Sequence, residues 1–209
     1  MHMFLRTKHL SAFFPVAISV IALTASAPAS VSNGGKSTPK RVAVQDARSN
    51  EQRVAFQRYA ELMKSAPAAL SVGELDKARD YARQLLEVRA KIEPIAGFGP
   101  GLYADATHVG NLVLGRIALM TGDVAKAKEY LLAAGRVTAE SAQLSSFGPN
   151  MLLAKELIER GERQTVIAYF SLCSDFWKLD NGRLTSWTRV VTDGGVPDFG
   201  PNIKYYFAD

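Results

Sequence analysis

Cysteine is almost missing from this chain of 209 residues, which holds only Cys173. An internal disulfide is therefore excluded, and so is a zinc centre built on paired cysteines. Histidine is nearly as scarce. Of the three present, His2 and His9 lie at the extreme N-terminus, leaving His108 as the one base for a Ser-His-Asp or Cys-His arrangement. Placed at the start of a predicted helix, His108 reads more simply as a surface or capping residue. Cys173 stands in the apolar run AYFSLCSDFW, which predicts a buried, inert thiol.

Charge of one dominant sign is lacking too. Lys and Arg number 25 against 20 acidic residues, and the segment 1–29 carries two of the basic ones and none of the acidic. Removing that segment leaves 25 − 2 = 23 against 20, an excess of three. So small and dispersed an excess argues against nucleic acid as a partner. A run long enough to span a bilayer is also absent. The uncharged stretch Leu10–Leu23 falls short of the roughly 20 residues needed.

That stretch follows Arg6 and Lys8 and precedes the small residues TASAPAS. The order predicts a secretory signal peptide over residues 1–29, cut after Ala29, so that the protein is exported, periplasmic or secreted. No stable transmembrane segment is expected after cleavage. Residues 30–48, with Gly34-Gly35, Pro39 and mostly polar neighbours, read as a flexible tether. The string SNGGKST there echoes a phosphate-binding loop, but it lacks the first glycine and a preceding strand.

Helical spacing begins near Asn50, a candidate N-cap, and Pro67 is expected to end or kink the first helix. Leu75, Ala78, Tyr81, Ala82, Leu85 and Leu86 form the stripe of a second helix. EPIAGFGPGLYADA, residues 93–106, reads as a loop. Two helix–turn–helix units follow. Asn111 to Arg116 corresponds in character to Asn150 to Lys155, and the turn Gly122-Asp123 to Gly161-Glu162, at one common offset (150 − 111 = 161 − 122). Gly73-Glu74 gives the same turn once more, at a wider step before Gly122. Units of this kind stack, because one helical pair cannot bury its apolar face alone.

Gly115, Gly122-Asp123, Ala127, Leu131 and Ala134 give the pattern small residue, Gly-acid turn, then small-large-small on the second helix. On these residues the chain resembles the tetratricopeptide repeat (TPR) superfamily, with degenerate copies over residues 53–178. Unit one matches through Gly73-Glu74, Ala78 and Ala82, and unit three through Ala154 and Gly161-Glu162. The resemblance implies an all-α fold: a right-handed stack of helix–turn–helix pairs (a TPR-like α-solenoid) over residues 49–178, with a C-terminal capping segment over 179–209. In that segment Leu184, Trp187 and Val191 should face inward on a short helix ended by Gly194-Gly195, and Tyr205, Tyr206 and Phe207 should pack down as a cap.

The resemblance further implies a concave groove lined by the first helices. The repeated Asn-and-base pairs, Asn111 with Arg116 and Asn150 with Lys155, are then candidates to hold a peptide. Asn offers both a donor and an acceptor to a backbone, and a cation pairs with a carboxylate. Five steps along a helix at about 100° each put each Asn about 140° from its base, so the two do not share a face. The function expected is a non-catalytic protein- or peptide-interaction module of the cell envelope, needing no cofactor, metal or catalytic residue. The alternative is an envelope hydrolase acting on glycan or peptide through an Asp or Glu acid, for which Asp175 and Asp180 flank Trp177. Helix capping explains Asp180-Asn181-Gly182 more simply. Phe-Gly-Pro occurs three times, at 98–100, 147–149 and 199–201. It does not track the repeat period and reads as shared loop chemistry. In the middle copy, Pro149 suits a helix start and Phe147 a staple to the core.

Overall fold

The computed structural model describes residues 39–88, 101–137, 140–205 and 207, with side chains from residue 50 onward. The predicted signal peptide, residues 30–38 of the predicted tether, the Phe-Gly-Pro copy at 98–100 and Tyr206 of the expected cap lie outside the described residues. The described chain is all-α, without a strand, and belongs to one unit spanning residues 38–209. Its helices are α1 Pro39–Ser71, α2 Leu75–Val88, α3 Gly101–Met120, α4 Val124–Gly135, α5 Ala142–Ser146, α6 Leu152–Glu159, α7 Arg163–Ser174 and α8 Arg183–Thr192. A 3-10 turn, Gly200–Ile203, follows. Among the described residues no helix is long and apolar enough to cross a membrane.

One turn design joins the pairs. At Gly73, Gly122 and Gly161 the backbone is left-handed, with φ of 77°, 86° and 86°. The glycine N–H donates three positions back, and the following acidic residue's N–H five positions back: Gly122 to Leu119 and Asp123 to Ala118, for example. This is the Schellman arrangement, which satisfies two carbonyls that the helix end would otherwise strand. Asp123 then starts the next helix by accepting from the Lys126 N–H at 2.9 Å. The same two-bond turn recurs at Gly194-Gly195, where it closes α8.

The pairs pack in sequence: α2 lies on α1 and α3, α3 on α4, α4 on α7, and α7 on α6 and α8. Ala127, Leu131 and Ala134 of α4 are fully buried, as are Val166 and Cys173 of α7. Gly115 is small because α3 approaches α6 and α4 there. A Cβ on it would stand 2.4 Å from Leu153 Cδ2 and 3.1 Å from Tyr130 Cβ. In α8, Leu184, Trp187 and Val191 are buried, as their spacing predicts.

Four boundaries differ from the sequence reading. Residues 39–48, expected within the tether, form the start of α1, whose first residue is Pro39. Proline suits that position, and no helix breaker stands between it and Pro67. The segment's apolar residues, Val42, Ala43, Val44 and Ala47, are too few beside Gly34-Gly35 and Pro39 to give a periodic signal. Pro67 does not end α1 either, which continues to Ser71. The bond to the Met63 carbonyl is missing there, but the buried Leu62, Ala66, Ala69 and Leu70 hold both sides of it. Residues 101–106, expected in a loop, begin α3, with Ala104 and Ala106 buried. Finally, the loop before Phe147 contains α5, capped by Ser141 Oγ accepting from the Leu144 N–H at 3.1 Å.

Candidate functional site

The loop between α5 and α6 is built around Gly148 and Asn150. Phe147 and Gly148 close α5 by donating to the carbonyls of Gln143 (2.8 Å) and Leu144 (3.1 Å). Gly148 has φ of +84° and lies flat on Trp177, where a Cβ would come within 2.3 Å of Cε2. Positive φ and the missing side chain are both required here. Pro149 leads to Asn150, which is fully buried.

Every polar group of Asn150 is used. Its main-chain N–H donates to His108 Nε2 at 3.1 Å. Its main-chain carbonyl accepts from the Tyr169 hydroxyl at 3.2 Å. The side-chain Oδ1 accepts from the Leu152 N–H at 2.8 Å, starting α6. The amide Nδ2 donates to the carbonyls of Ile203 (2.8 Å) and Tyr205 (2.6 Å) in the C-terminal segment. That segment replies in kind. Asn202, also buried, donates from Nδ2 to the carbonyls of Phe147 (3.0 Å) and Pro149 (2.9 Å). The Asn202 carbonyl accepts from the Met151 N–H at 2.8 Å. Two copies of Phe-Gly-Pro-Asn, at 147–150 and 199–202, thus clasp each other.

Apolar and charged groups finish the clasp. Phe199 is buried on Trp187 and Phe170, with ring centroids 4.9 and 6.2 Å away. Phe207 lies under the Arg116 guanidinium at 5.3 Å, an arrangement that favours the cation. Arg116 is also held in a two-pronged bond to Glu156, with Nη2 2.8 Å from Oε1 and Nε 3.1 Å from each oxygen. Arg116 thereby ties α3, α6 and the chain end together.

His108 is the polar centre behind this face. Its Nδ1 stands 3.0 Å from the Ala134 carbonyl, which can only accept, so Nδ1 carries the proton and the unprotonated Nε2 receives the Asn150 N–H. Burial lowers its pKa to about 4, with the Ala134 bond pulling the other way. Burial likewise raises the Tyr169 hydroxyl and the Cys173 thiol. The Asp105 carboxyl is raised by burial against the opposing bond from Ser141 Oγ, which is 2.6 Å away. Tyr59 is raised by burial and then by the charge of Asp105. Among the described residues no group of three or more His, Cys, Asp or Glu is placed to hold a metal ion.

The four residues expected to line a groove therefore have separate situations. Asn111 is buried and donates to the Thr107 carbonyl of its own helix at 2.7 Å. Asn150 and Arg116 meet at the C-terminal segment, and Lys155 pairs with Glu159 at 2.7 Å on the surface. They do not form one open lining, because the chain's own end covers two of them and helix packing covers a third. Pro149 precedes the helix start rather than standing in it, since α6 begins at Leu152. Phe147 does not staple the loop to the core. It is 57% exposed and rests beside Tyr205. Asp180 Oδ2 accepts from the Leu184 N–H at 3.2 Å, a capping bond, and Asp175 lies exposed at the end of α7.

Sequence reasoning missed His108, Tyr169 and Asn202 as parts of this network. For Asn202 a signal was present: two copies share the fourth residue, Asn, which the copy ending in Gly101 lacks. No protein-family model, curated protein or solved structure matches this chain.

Proposed function

We propose that the chain is an exported, non-catalytic helical-repeat module, built as a TPR-like right-handed stack, that binds a protein or peptide segment in the cell envelope. The observation that carries this reading is the clasp itself. The face made by α3, α6 and the loop between α5 and α6 holds a peptide segment by carboxamide bonds to main-chain carbonyls, and by a cation over an aromatic ring. Main-chain contacts supply affinity for any sequence, and the aromatic and Gly-Pro positions supply selection. The leader-like N-terminus supports export, and the thrice-repeated Gly-acid turn supports a TPR-like form for the stack.

Selection of displayed random peptides on the full chain tests the reading. Enriched peptides should lose binding to Arg116→Ala, while Lys155→Ala should bind as the parent does. Peptides indifferent to Arg116, or no enrichment at all, would refute it. One observation favours the alternative, a hydrolase of envelope glycan or peptide: the Asp105 carboxyl is pushed up by burial and stands beside Ser141. Release of soluble fragments from envelope material, abolished by Asp105→Asn, would establish that alternative.

A further inference from the structure

The groove and the segment that fills it carry the same four residues. On the fixed side, Asn150 Nδ2 and the Met151 N–H donate, and the carbonyls of Phe147 and Pro149 accept. On the segment side, Asn202 Nδ2 donates, and the carbonyls of Asn202, Ile203 and Tyr205 accept. Five hydrogen bonds therefore join residues 202–205 to residues 147–151. Both glycines have positive φ, 84° at Gly148 and 52° at Gly200, and both asparagines are buried. Self-complementary pairing of this kind needs nothing foreign to either side.

The covalent link is short and irregular. After α8 ends at Thr192, residues 193–199 form a Gly194-Gly195 turn and open chain, in which Val196 is 44% exposed, Pro197 is buried and the Gly194 carbonyl accepts from Arg163 Nη2 at 2.9 Å. Gly200 then enters the 3-10 turn. A change of backbone angles within 193–198, with loss of the Arg163 bond to Gly194 and exposure of Pro197, would carry the segment away without altering any of the five bonds it can form.

We propose that residues 147–151, with Arg116, are a peptide-binding site whose resident ligand is the chain's own segment 199–207, and that a second copy of this chain delivers the same segment in exchange. The result is a tail-exchanged dimer. Exchange keeps every contact of the clasp and changes only the link, which is why swapped dimers form at little cost. The closed monomer is favoured by the high effective concentration of its own tail, so the dimer gains with protein concentration. Phe199 of the incoming segment fills the pocket of Phe170 and Trp187, and its Phe207 takes the place on Arg116. This inference rests on the peptide-binding reading given above.

The test uses the full chain and a labelled peptide of residues 198–207. A chain carrying Asn202→Ala keeps the site but weakens the resident tail, so it should bind the peptide about tenfold more tightly than the parent, the net effect of losing the two hydrogen bonds that Asn202 Nδ2 donates. The same peptide carrying Asn202→Ala should bind about tenfold more weakly to every chain. Far-UV circular dichroism checks that the variant chain folds. Should it not fold, the two peptides compared on the parent chain give the same decision. The parent should also sediment as a monomer–dimer equilibrium, and deleting Val196, which shortens the link, should shift it toward dimer. If a folded Asn202→Ala chain ignores the peptide, or the two peptides bind the parent alike, the site is refuted, and the peptide-binding reading falls with it. If the peptide binds as expected but the parent stays monomeric at every concentration, the exchange alone is overturned.

Discussion

Acidification should loosen this protein through His108. In the fold the imidazole is neutral and fully buried, donating from Nδ1 and accepting at Nε2. A second proton at Nε2 would face the Asn150 N–H donor to donor, and that bond would be lost. Burial sets the folded pKa at about 4, below the ordinary value of 6.5. Between these two values the unfolded chain binds more protons than the folded one, so stability rises with pH. The His108 contribution is thus complete above pH 6.5 and is lost as pH falls toward 4. The full difference corresponds to about 3 kcal/mol, of which roughly 2.5 kcal/mol is gone by pH 4.5. Asp105 works the other way, because its folded pKa is raised. A comparison that leaves Asp105 in place removes its effect. His108→Gln supplies that comparison, since the glutamine amide offers a donor and an acceptor without titrating. Urea unfolding followed by circular dichroism at pH 7.5, 6.0 and 4.5 should show the parent losing more stability than His108→Gln by about 2 kcal/mol. Equal pH slopes for the two proteins would refute a His108 held neutral by the fold.

The remaining predictions concern the clasp and its neighbours. Gly148→Ala combines positive φ with a Cβ 2.3 to 2.6 Å from three Trp177 ring atoms, and should cost about 2–4 kcal/mol in chemical denaturation. A cost below about 0.5 kcal/mol, the range of an unremarkable surface substitution, would mean that Trp177 moves freely. Arg116→Ala removes a bond to Glu156 in which both side chains are less than a third exposed, together with the contact to Phe207. It should lower stability by about 1–2 kcal/mol, whereas Lys155→Ala, which breaks an exposed pair, should stay within about 0.5 kcal/mol. Thermal melts of the two variants side by side check the contrast.

The helix pairs were legible because their causes are local. Gly-acid turns at 73, 122 and 161, and the stripe of Ala127, Leu131 and Ala134, follow from short-range backbone and packing rules, and each stands where the spacing puts it. The start of α1 was not legible, because the short apolar cluster Val42-Ala43-Val44 follows Gly34-Gly35 and Pro39 in a segment otherwise polar. The site was legible only in part. Asn150 stood out as a residue, but its partners lie 42, 53 and 55 positions away, at His108, Ile203 and Tyr205. No window of sequence relates such residues. The repeated Phe-Gly-Pro-Asn was the one available sign, and its meaning lay in pairing rather than in period. Phe147 shows the limit most plainly, since an aromatic beside a helix start suggests a staple, yet the chain end comes to it instead.

The clasp also fixes an order of events during synthesis. Residues 147–151 leave the ribosome well before their partners at 202–205. At about 5–20 residues per second that interval lasts some seconds. Until then Asn150 lacks its two carbonyl acceptors, and the carbonyls of Phe147 and Pro149 lack their donor. The helix pairs from α1 to α4 can pack during that time, while the last pair waits for residues 202–205 to lock it. A chain cut just before Gly200 would lose Gly200–Ile203 and every hydrogen bond that closes the clasp. The native face thus exists only on molecules that carry residues 202–205.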